Sequence, residues 1–247
     1  MNTPRLRSVY LNYPPTKQDA AANHVDFNTW STMHWNAVNA DYNQISAKGK
    51  VIQKALQGAK SVHVTSPAGT DMTFSIADRQ VFLDDGVMTP EKAKSKTFLG
   101  RSVNLPGGSV FASGIETSAN GKVVVPKSAC RYDPLNGVSF EFKAGKMQNF
   151  KAAQNGKCFV DSMAPYEGPR DVFSSFSIGL NPALKVVEEG GATYWPGSGA
   201  GVVYISMGDN QLLGGANKTQ GGWGFPVLNS TVTVDGKVIL KDGQIVM

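Results

Sequence analysis

The sequence predicts an α+β fold in which short, mostly antiparallel strands dominate and the helices lie near the N-terminus. From Trp30 to about Leu56, apolar residues recur every three or four positions, which is typical of helices that bury one face. After Gly58 the period of the apolar residues becomes two, and turn sequences become frequent, as expected for strands and hairpins. A chain of 247 residues is long enough to bury a substantial core.

The first 28 residues are polar and aperiodic, with two consecutive prolines. We therefore expect an N-terminal arm over residues 1–28 and one domain over residues 29–247. Within that domain, the main helix carries a stripe formed by Tyr42, Ile45, Gly49, Ile52 and Leu56. The spacing of Trp30, His34 and Ala37 indicates a shorter helix before it. Another short helix is predicted near residues 157–164.

Alternation of apolar and polar residues predicts the strands. They cover residues 62–64, 72–76, 81–83, 110–117, 121–125, 138–142, 147–150, 202–207 and 231–246. Asp235-Gly236, Asp242-Gly243 and Ala144-Gly145 are turn sequences between such segments. Asn120-Gly121 suits a type I′ turn, so residues 110–117 and 121–125 are predicted to form a hairpin.

Charge and composition exclude several functions. The net charge is +5, but the basic residues are dispersed, so no nucleic-acid partner is predicted. No run of 18 apolar residues exists, so no membrane partner is predicted either. The N-terminus lacks the apolar core of a secretory signal, and we expect a cytoplasmic location. Cys130 and Cys158 lack metal-ligand spacing and are expected to be free thiols, with a disulfide as the alternative.

Four segments of the chain share their order and spacing with a known family. They read NLPGGSV at 104–110, SFSIGLNP at 175–182, GVVYISMGDN at 201–210 and GGWGF at 221–225. Together they resemble the aminopeptidase T (leucyl aminopeptidase-type, thermophilic) metallopeptidase family, over residues from about 41 to the C-terminus. The resemblance implies the α+β fold of the family's catalytic domain and a homodimer. The family's additional N-terminal domain is expected to be missing.

The resemblance also implies chemistry that this chain lacks the residues to perform. The family cleaves peptides with two metal ions, and one branch opens a dihydroxypyridine ring with one iron. At the places of the family's Glu, Glu, His and His-x-Asp ligands, this chain has Ser109, Ser175, Tyr204, Gly222 and Gly224. Neutral hydroxyls and glycines do not replace bridging carboxylates and imidazoles. The three histidines also form no ligand pair, so no metal and no cofactor are predicted.

The replaced positions should still converge on one small-molecule pocket if the fold is kept. The catalytic candidates are Tyr204, Ser109, Ser175 and Lys218. The ligand-binding candidates are Trp223, Ser177, Asn210, Asn217, Gly222 and Gly224. Hydroxyls offer directional hydrogen bonds and the aromatic rings offer stacking faces.

This pocket favours a metal-independent enzyme of hydrolase or lyase type that acts on a small aromatic or carboxylate-bearing molecule. One alternative is a homologue without catalytic activity that binds a ligand or supports a partner enzyme. The other is a metal-dependent aminopeptidase or ring-cleaving dioxygenase whose ligands lie elsewhere in the sequence.

Overall fold

The computed structural model describes residues 6–11, 14–131, 133–185 and 198–246. The helices are α1 (Lys17–Ala22), α2 (Phe27–Val38), α3 (Tyr42–Leu56), α4 (Pro90–Ala93) and α5 (Gly156–Met163). The strands of the first half are β1 (Ser8–Leu11), β2 (Val62–Thr65), β3 (Asp71–Phe74), β4 (Val81–Asp84), β5 (Ser102–Leu105), β6 (Ser109–Ser113) and β7 (Asn120–Val125). Those of the second half are β8 (Ala129–Cys130), β9 (Asp133–Pro134), β10 (Val138–Lys143), β11 (Lys146–Lys151), β12 (Phe173–Gly179), β13 (Val203–Gly208), β14 (Gly222–Val227), β15 (Thr231–Val234), β16 (Lys237–Lys241) and β17 (Gln244–Ile245).

Two antiparallel sheets contain most of these strands. The larger sheet has the order β11-β10-β7-β3-β2-β15-β16-β17, and the smaller has the order β14-β13-β12-β6-β4. The parallel pair β1–β5 and the short pair β8–β9 lie outside them. The predicted α+β class, mostly antiparallel with the longer helices near the N-terminus, is confirmed. No helix in the described ranges is long and apolar enough to cross a bilayer.

The two sheets pack face to face and share one apolar core. The ring centroid of Phe74 in β3 lies 4.8 Å from that of Phe173 and 5.0 Å from that of Phe176, both in β12. Phe140 in β10 lies 5.3 Å from Phe225 in β14. Because strands alternate their faces, burying one side of the five-stranded sheet leaves its other side available for a site.

Helix α3 covers the edge of the smaller sheet at β4. Its stripe is buried as predicted, with Ile45, Ile52 and Leu56 each at most 2% exposed. Gly49 faces Leu83 and Leu180, and a Cβ there would lie 3.0 Å from one Leu180 methyl group and clash with Leu83. The glycine therefore allows the helix backbone to approach the sheet closely.

Regular elements lie within the described part of the N-terminal segment. Residues 1–28 were expected to form an irregular arm, but β1 and α1 lie within them, and α2 begins at Phe27. Thr16 and Asp19 form a reciprocal capping box at the start of α1. The buried Ala20 then packs with Trp30 of α2 in a small apolar cluster. Elements this short contain too few apolar residues to show a period.

The predicted hairpin around Asn120-Gly121 is wrong. β6 pairs with β4 and β12 in the smaller sheet, whereas β7 pairs with β3 and β10 in the larger one. Gly121 has a φ of 116°, but Asn120 lacks the positive φ that a type I′ turn requires. The chain therefore crosses between the sheets here. The turns at 144–145, 235–236 and 242–243 do have positive φ at both residues.

Cys130 and Cys158 form a disulfide, so the expectation of two free thiols is wrong. The bond joins β8 to α5 across a sequence separation of 28 residues. The spacing of the two cysteines in the sequence did not predict the bond, because β8 and α5 come together only in the folded chain. From α5, Phe159 packs against Trp223 and Phe225 of β14, at centroid distances of 5.4 and 5.5 Å. The disulfide thus anchors a helix that supports the last strand of the smaller sheet.

Candidate functional site

The face of the five-stranded sheet opposite the core carries a row of hydroxyl groups. It is formed by Ser109, Ser175, Ser177, Tyr204 and Ser206, together with Gly224, and we call it the hydroxyl face. The neighbours of these residues along each strand, such as Val110, Phe176 and Ile205, belong to the core. Alternation therefore places the hydroxyl-bearing residues on the other side of the sheet.

The strand register brings three predicted residues together. Ser177 in β12 lies opposite Tyr204 in β13, and Ser175 lies opposite Ser206. Ser206 in turn lies opposite Gly224 in β14. Residues directly opposite on antiparallel strands have Cβ atoms about 4.5–5.5 Å apart, so these groups can contact one ligand. Ser206 was missed because it replaces no family ligand, although its alternation with Tyr204 was visible in the sequence.

Tyr204 and Gly224 fit each other. The Tyr204 ring lies over Gly224, and a Cβ at position 224 would clash with its Cε1 atom and lie 2.8 Å from Ser206 Oγ. Gly224 is therefore required wherever Tyr204 adopts this position. Burial raises the pKa of the Tyr204 phenol to about 12. At neutral pH the phenol is protonated and acts as a hydrogen-bond donor.

Ser109 begins β6 after a segment that the rest of the fold holds in place. The buried Asn181 donates to the carbonyl oxygens of Gly107 and Ala37 at 2.9 and 3.1 Å. Gly108, with a φ of 125°, leads directly into Ser109. Ser109 is 8% exposed and pairs across the strands with Gly179. It therefore lies at the far end of the hydroxyl face from Ser175.

A buried carboxyl group that sequence reasoning missed lies opposite Ser109. Asp84 in β4 pairs with Ser109 and is 5% exposed. Burial raises the pKa of Asp84, although hydrogen bonds from the Asn104 backbone and side chain, at 3.0 and 2.8 Å, oppose that shift. These bonds tie the carboxyl group to the segment before β6. The sequence feature that could have identified Asp84 is an acidic residue at the end of the apolar strand Val81–Asp84.

Asn210 and Asn217 have structural contacts rather than free donors. The Asn210 amide nitrogen lies within 3.1 Å of Ser113 Oγ, Glu116 Oε1 and the Ser174 carbonyl, and its oxygen accepts from Asn217 N–H at 2.9 Å. The Asn217 amide donates to the carbonyls of Phe173 and Gly208, both at 3.1 Å. Both residues are buried, so these bonds hold the loop after β13 against the sheet.

Of the remaining predicted residues, Trp223 and Lys218 lie away from the hydroxyl face and Gly222 lies at its end. Trp223 lies opposite the core residue Met207, so its ring points to the other side of the sheet, toward α5. Lys218 is exposed on the loop before β14. Gly222, two residues before Gly224, is on the same side of β14 as the hydroxyl face, at the exposed start of the strand and opposite Gly208.

The hydroxyl face does not fit a metal ion. Its serines are neutral, its glycines have no side-chain donor, and the protonated Tyr204 is a poor ligand. Across the described residues, no group of three or more His, Cys, Asp and Glu side chains could hold a metal. His63, for example, is paired with Asp71 at 2.8 Å on the other sheet.

Two cavities flank β4, away from the predicted residues. One has a volume of about 490 Å³ and lies between β4, residues 96–98 and the 3₁₀ turn Gln211–Leu213. The other, of about 430 Å³, lies between β4, α3, α4 and residues 95–100. Both are lined by Phe82, whose ring stacks on Phe111 at 5.4 Å. Neither is lined by Tyr204, Ser175 or Ser177.

Family models match both parts of the chain. The model for thermophilic metalloprotease (M29) matches residues 9–172, and that for 2,5-dihydroxypyridine 5,6-dioxygenase matches residues 191–247. The first match covers more than half of the sequence, so the chain belongs to the thermophilic metalloprotease (M29) family. The resemblance to the aminopeptidase T-type family is thereby confirmed. No curated protein matches the chain.

Two solved structures share the fold. 2,5-Dihydroxypyridine dioxygenase from Pseudomonas putida KT2440 superposes with a TM-score of 0.67 at 20% identity over 82% of this chain. Wild-type AmpT from Thermus thermophilus superposes with a TM-score of 0.62 at 16% identity over 95% of it. The chain spans 59% and 61% of these two proteins. At such identities the likeness establishes the fold alone.

Proposed function

We propose that this protein is a metal-independent member of the M29 family that binds and converts a small aromatic or carboxylate-bearing molecule on the hydroxyl face. The observation that supports this most directly is the mutual fit of Tyr204 and Gly224. A tyrosine occupies the space that a side chain at position 224 would need, next to three serine hydroxyls. This arrangement supports a site rebuilt from polar side chains rather than a metal site in which only single ligands were replaced.

The chemistry proposed for this site is electrostatic. A protonated phenol beside hydroxyl groups can donate hydrogen bonds to a carbonyl or carboxylate oxygen as negative charge develops on it. Ser175 and Ser177 lie within one cross-strand step of that phenol and would orient the substrate. The reaction class that fits is a hydrolase or lyase step that passes through an oxyanion.

One observation favours the alternative of a homologue without catalytic activity. The carboxyl group of Asp84, which lies opposite Ser109, is already bound by Asn104. Catalysis by proton transfer needs a base within reach of the reacting atom. A ligand-binding protein, or one that supports a partner enzyme, would need only the hydrogen-bond donors.

The wider proposal includes a homodimer and no nucleic-acid or membrane partner, but it leaves out the cytoplasmic location expected from the N-terminal sequence. The disulfide between Cys130 and Cys158 argues for a different compartment, because such bonds persist mainly in oxidising environments. Sedimentation of the purified protein tests the dimer, and the thiol titration described in the Discussion tests the redox state.

Protein purified without any chelator is expected to contain far less than one equivalent of zinc, manganese, iron or cobalt. The reason is that the hydroxyl face offers neutral oxygen atoms and no carboxylate or imidazole cluster. Elemental analysis measures this directly. Near-stoichiometric metal would instead support the alternative of a metal-dependent aminopeptidase or dioxygenase with ligands elsewhere in the chain.

Replacing Tyr204 by phenylalanine is expected to lower turnover by about 100-fold, the typical loss for one oxyanion donor, while the fold is retained. The ring still packs over Gly224, so only the hydroxyl is lost. Substrates are first found by ligand-observed NMR with a set of small aromatic carboxylates. Tyr10→Phe is the matched control, because Tyr10 lies in β1 and is 48% exposed.

A second variant separates the role of the hydroxyl from that of the ring. Gly224→Ala forces the ring of Tyr204 to move and should destabilise the fold by about 1–3 kcal/mol, as overpacking does. Full activity in Tyr204→Phe would contradict the proposed role of the phenol. Full stability in Gly224→Ala would contradict the described packing.

A further inference from the structure

We infer that the cavity of about 490 Å³ beside β4 is a second small-molecule site, suited to a flat aromatic carboxylate. Its volume lies within the range of about 300–1,000 Å³ usual for ligand pockets. None of the hydroxyl groups on which the proposed function rests lines the cavity, although Phe111, on which Phe82 stacks, lies opposite Ser177. Three features support the inference: aromatic walls, an excess of cationic side chains and walls held in place by internal bonds.

The aromatic walls come from two different elements. Phe82 in β4 is 5% exposed, and its ring is held by stacking on Phe111 at 5.4 Å with an angle of 19° between the planes. Phe98 comes from the segment after α4 and contacts the ring of Tyr10 edge-on at 6.4 Å. Leu213 adds an apolar side chain from the 3₁₀ turn. Such surroundings favour a ring or another flat apolar group.

Cationic side chains outnumber acidic ones in the lining. Arg79 and Lys96 line the cavity against a single carboxylate, Asp78. Glu116, outside the lining, neutralises Arg79 at 2.7 Å, so the positive charge left for a ligand is that of Lys96. Within the described parts of the chain, Lys96 makes no ion pair. A carboxylate at the rim would therefore meet an ammonium group with free donors.

Hydrogen bonds within the protein hold two walls of the cavity, the 3₁₀ turn Gln211–Leu213 and residues 96–98. Arg79 Nη1 donates to the Gly214 carbonyl at 2.6 Å, which holds the 3₁₀ turn toward β4. On the other side, the buried Arg101 donates to the Ser95 carbonyl at 2.6 Å and to the Leu6 carbonyl at 3.0 Å. A preformed cavity requires little ordering of the protein when a ligand binds.

The test compares benzoate with benzylamine, which carry opposite charges on the same ring. Titrations followed by calorimetry and by protein NMR are expected to show millimolar or tighter binding of benzoate and weaker binding of benzylamine. Lys96→Ala should weaken benzoate binding by about fivefold, in keeping with the loss of one exposed ion pair. Phe98→Ala should weaken benzoate binding further. Phe98→Tyr should keep the affinity of the parent, because tyrosine still provides an aromatic ring at position 98. Lys151→Ala, at an exposed lysine of β11 outside the cavity lining, should have no effect.

The outcomes distinguish the two sites. Absence of benzoate binding, equal binding of benzylamine, or insensitivity to both Lys96→Ala and Phe98→Ala would each overturn the inference. Benzoate binding that is lost in Tyr204→Phe but not in Lys96→Ala would place the ligand on the hydroxyl face. That result would also overturn the second site while leaving the proposed function intact. Thermal unfolding of each variant confirms that the fold is kept.

Discussion

Replacing Glu116 by alanine is expected to lower the free energy of unfolding by about 1–3 kcal/mol, the usual cost of leaving partly buried polar groups without their partner. The Glu116 and Arg79 side chains are 13% and 17% exposed, and their charged atoms lie 2.7 Å apart. Glu116 Oε1 also accepts from Asn210 at 2.9 Å and from Ala216 N–H at 2.7 Å. Alanine therefore leaves a guanidinium without its counter-charge and the Ala216 N–H without its acceptor, whereas Asn210 keeps Ser113 Oγ and the Ser174 carbonyl.

Urea denaturation of matched variants separates these contributions. Glu116→Gln keeps an acceptor for Asn210 and Ala216 but removes the charge, so an intermediate loss is expected. Glu167→Ala, at an exposed glutamate, should change stability by less than about 0.5 kcal/mol. In the double variant Arg79→Met with Glu116→Ala, part of the loss should be recovered, because no unpaired charge remains. A Glu116→Ala protein as stable as the parent would show that the network does not hold the loop.

The pH dependence provides an independent check on the same carboxylate. Burial acts to raise the pKa of Glu116, but hydrogen bonds from Ala216 and Asn210 and the charge of Arg79 hold the pKa below its ordinary value. A group with a lowered pKa in the folded state stabilises the protein above its unfolded pKa of about 4.3. That stabilisation is lost as the pH falls through the folded pKa. The stability difference between the parent and Glu116→Gln should therefore shrink in acid.

Removing the disulfide by replacing Cys130 and Cys158 with alanine is expected to lower the free energy of unfolding by about 3–4 kcal/mol, as chain entropy predicts for a loop of this length. The bond spans 28 residues and constrains the unfolded chain. Cys130 is fully buried, so its replacement also removes packing beneath α5. The loosened helix should transmit the change to Trp223, since Phe159 of α5 packs against that ring.

Denaturant titration measures the loss of stability, and tryptophan fluorescence reports the contact between α5 and β14. Reducing the parent protein with a dithiol should reproduce the entropic part of the effect without any change of side chain. Thiol titration in denaturant should detect no free thiol in the untreated protein, because no cysteine is free in the structure. Two titratable thiols, together with unchanged stability of the alanine variant, would contradict the disulfide and favour a reducing compartment.

Local pattern was sufficient for most of the elements but not for their partners. The stripe from Ile45 to Leu56 predicted α3, and alternation predicted most of the strands. The same reasoning paired β6 with β7, because an Asn-Gly sequence lay between them, whereas the structure places these strands in different sheets. A turn sequence describes two or three residues. Which strands become neighbours depends on how two sheets bury their apolar faces together.

The residues of the candidate site were likewise predicted only in part from the sequence. The family's ligand positions led to the prediction that Ser175 and Tyr204 converge with Ser177 nearby, and the register places the three on one face. The same reasoning was wrong for Trp223, which lies one residue from Gly224 and therefore points to the opposite side of the sheet. Asn210 and Asn217 looked like free polar groups because their partners are remote in sequence, as with Ser113 and Phe173.

Residue type and spacing along the chain were enough to predict the fold class and the metallopeptidase family. These properties depend on residue type and spacing along the chain, which can be determined without knowing the distances between residues in the folded protein. Three features could be seen only in the folded protein: Tyr204 lies over Gly224, Cys130 bonds to Cys158, and a cavity lies beside Phe82. Each of these depends on contacts between elements far apart in sequence, and such contacts are set by the packing of the two sheets and the helices as a whole.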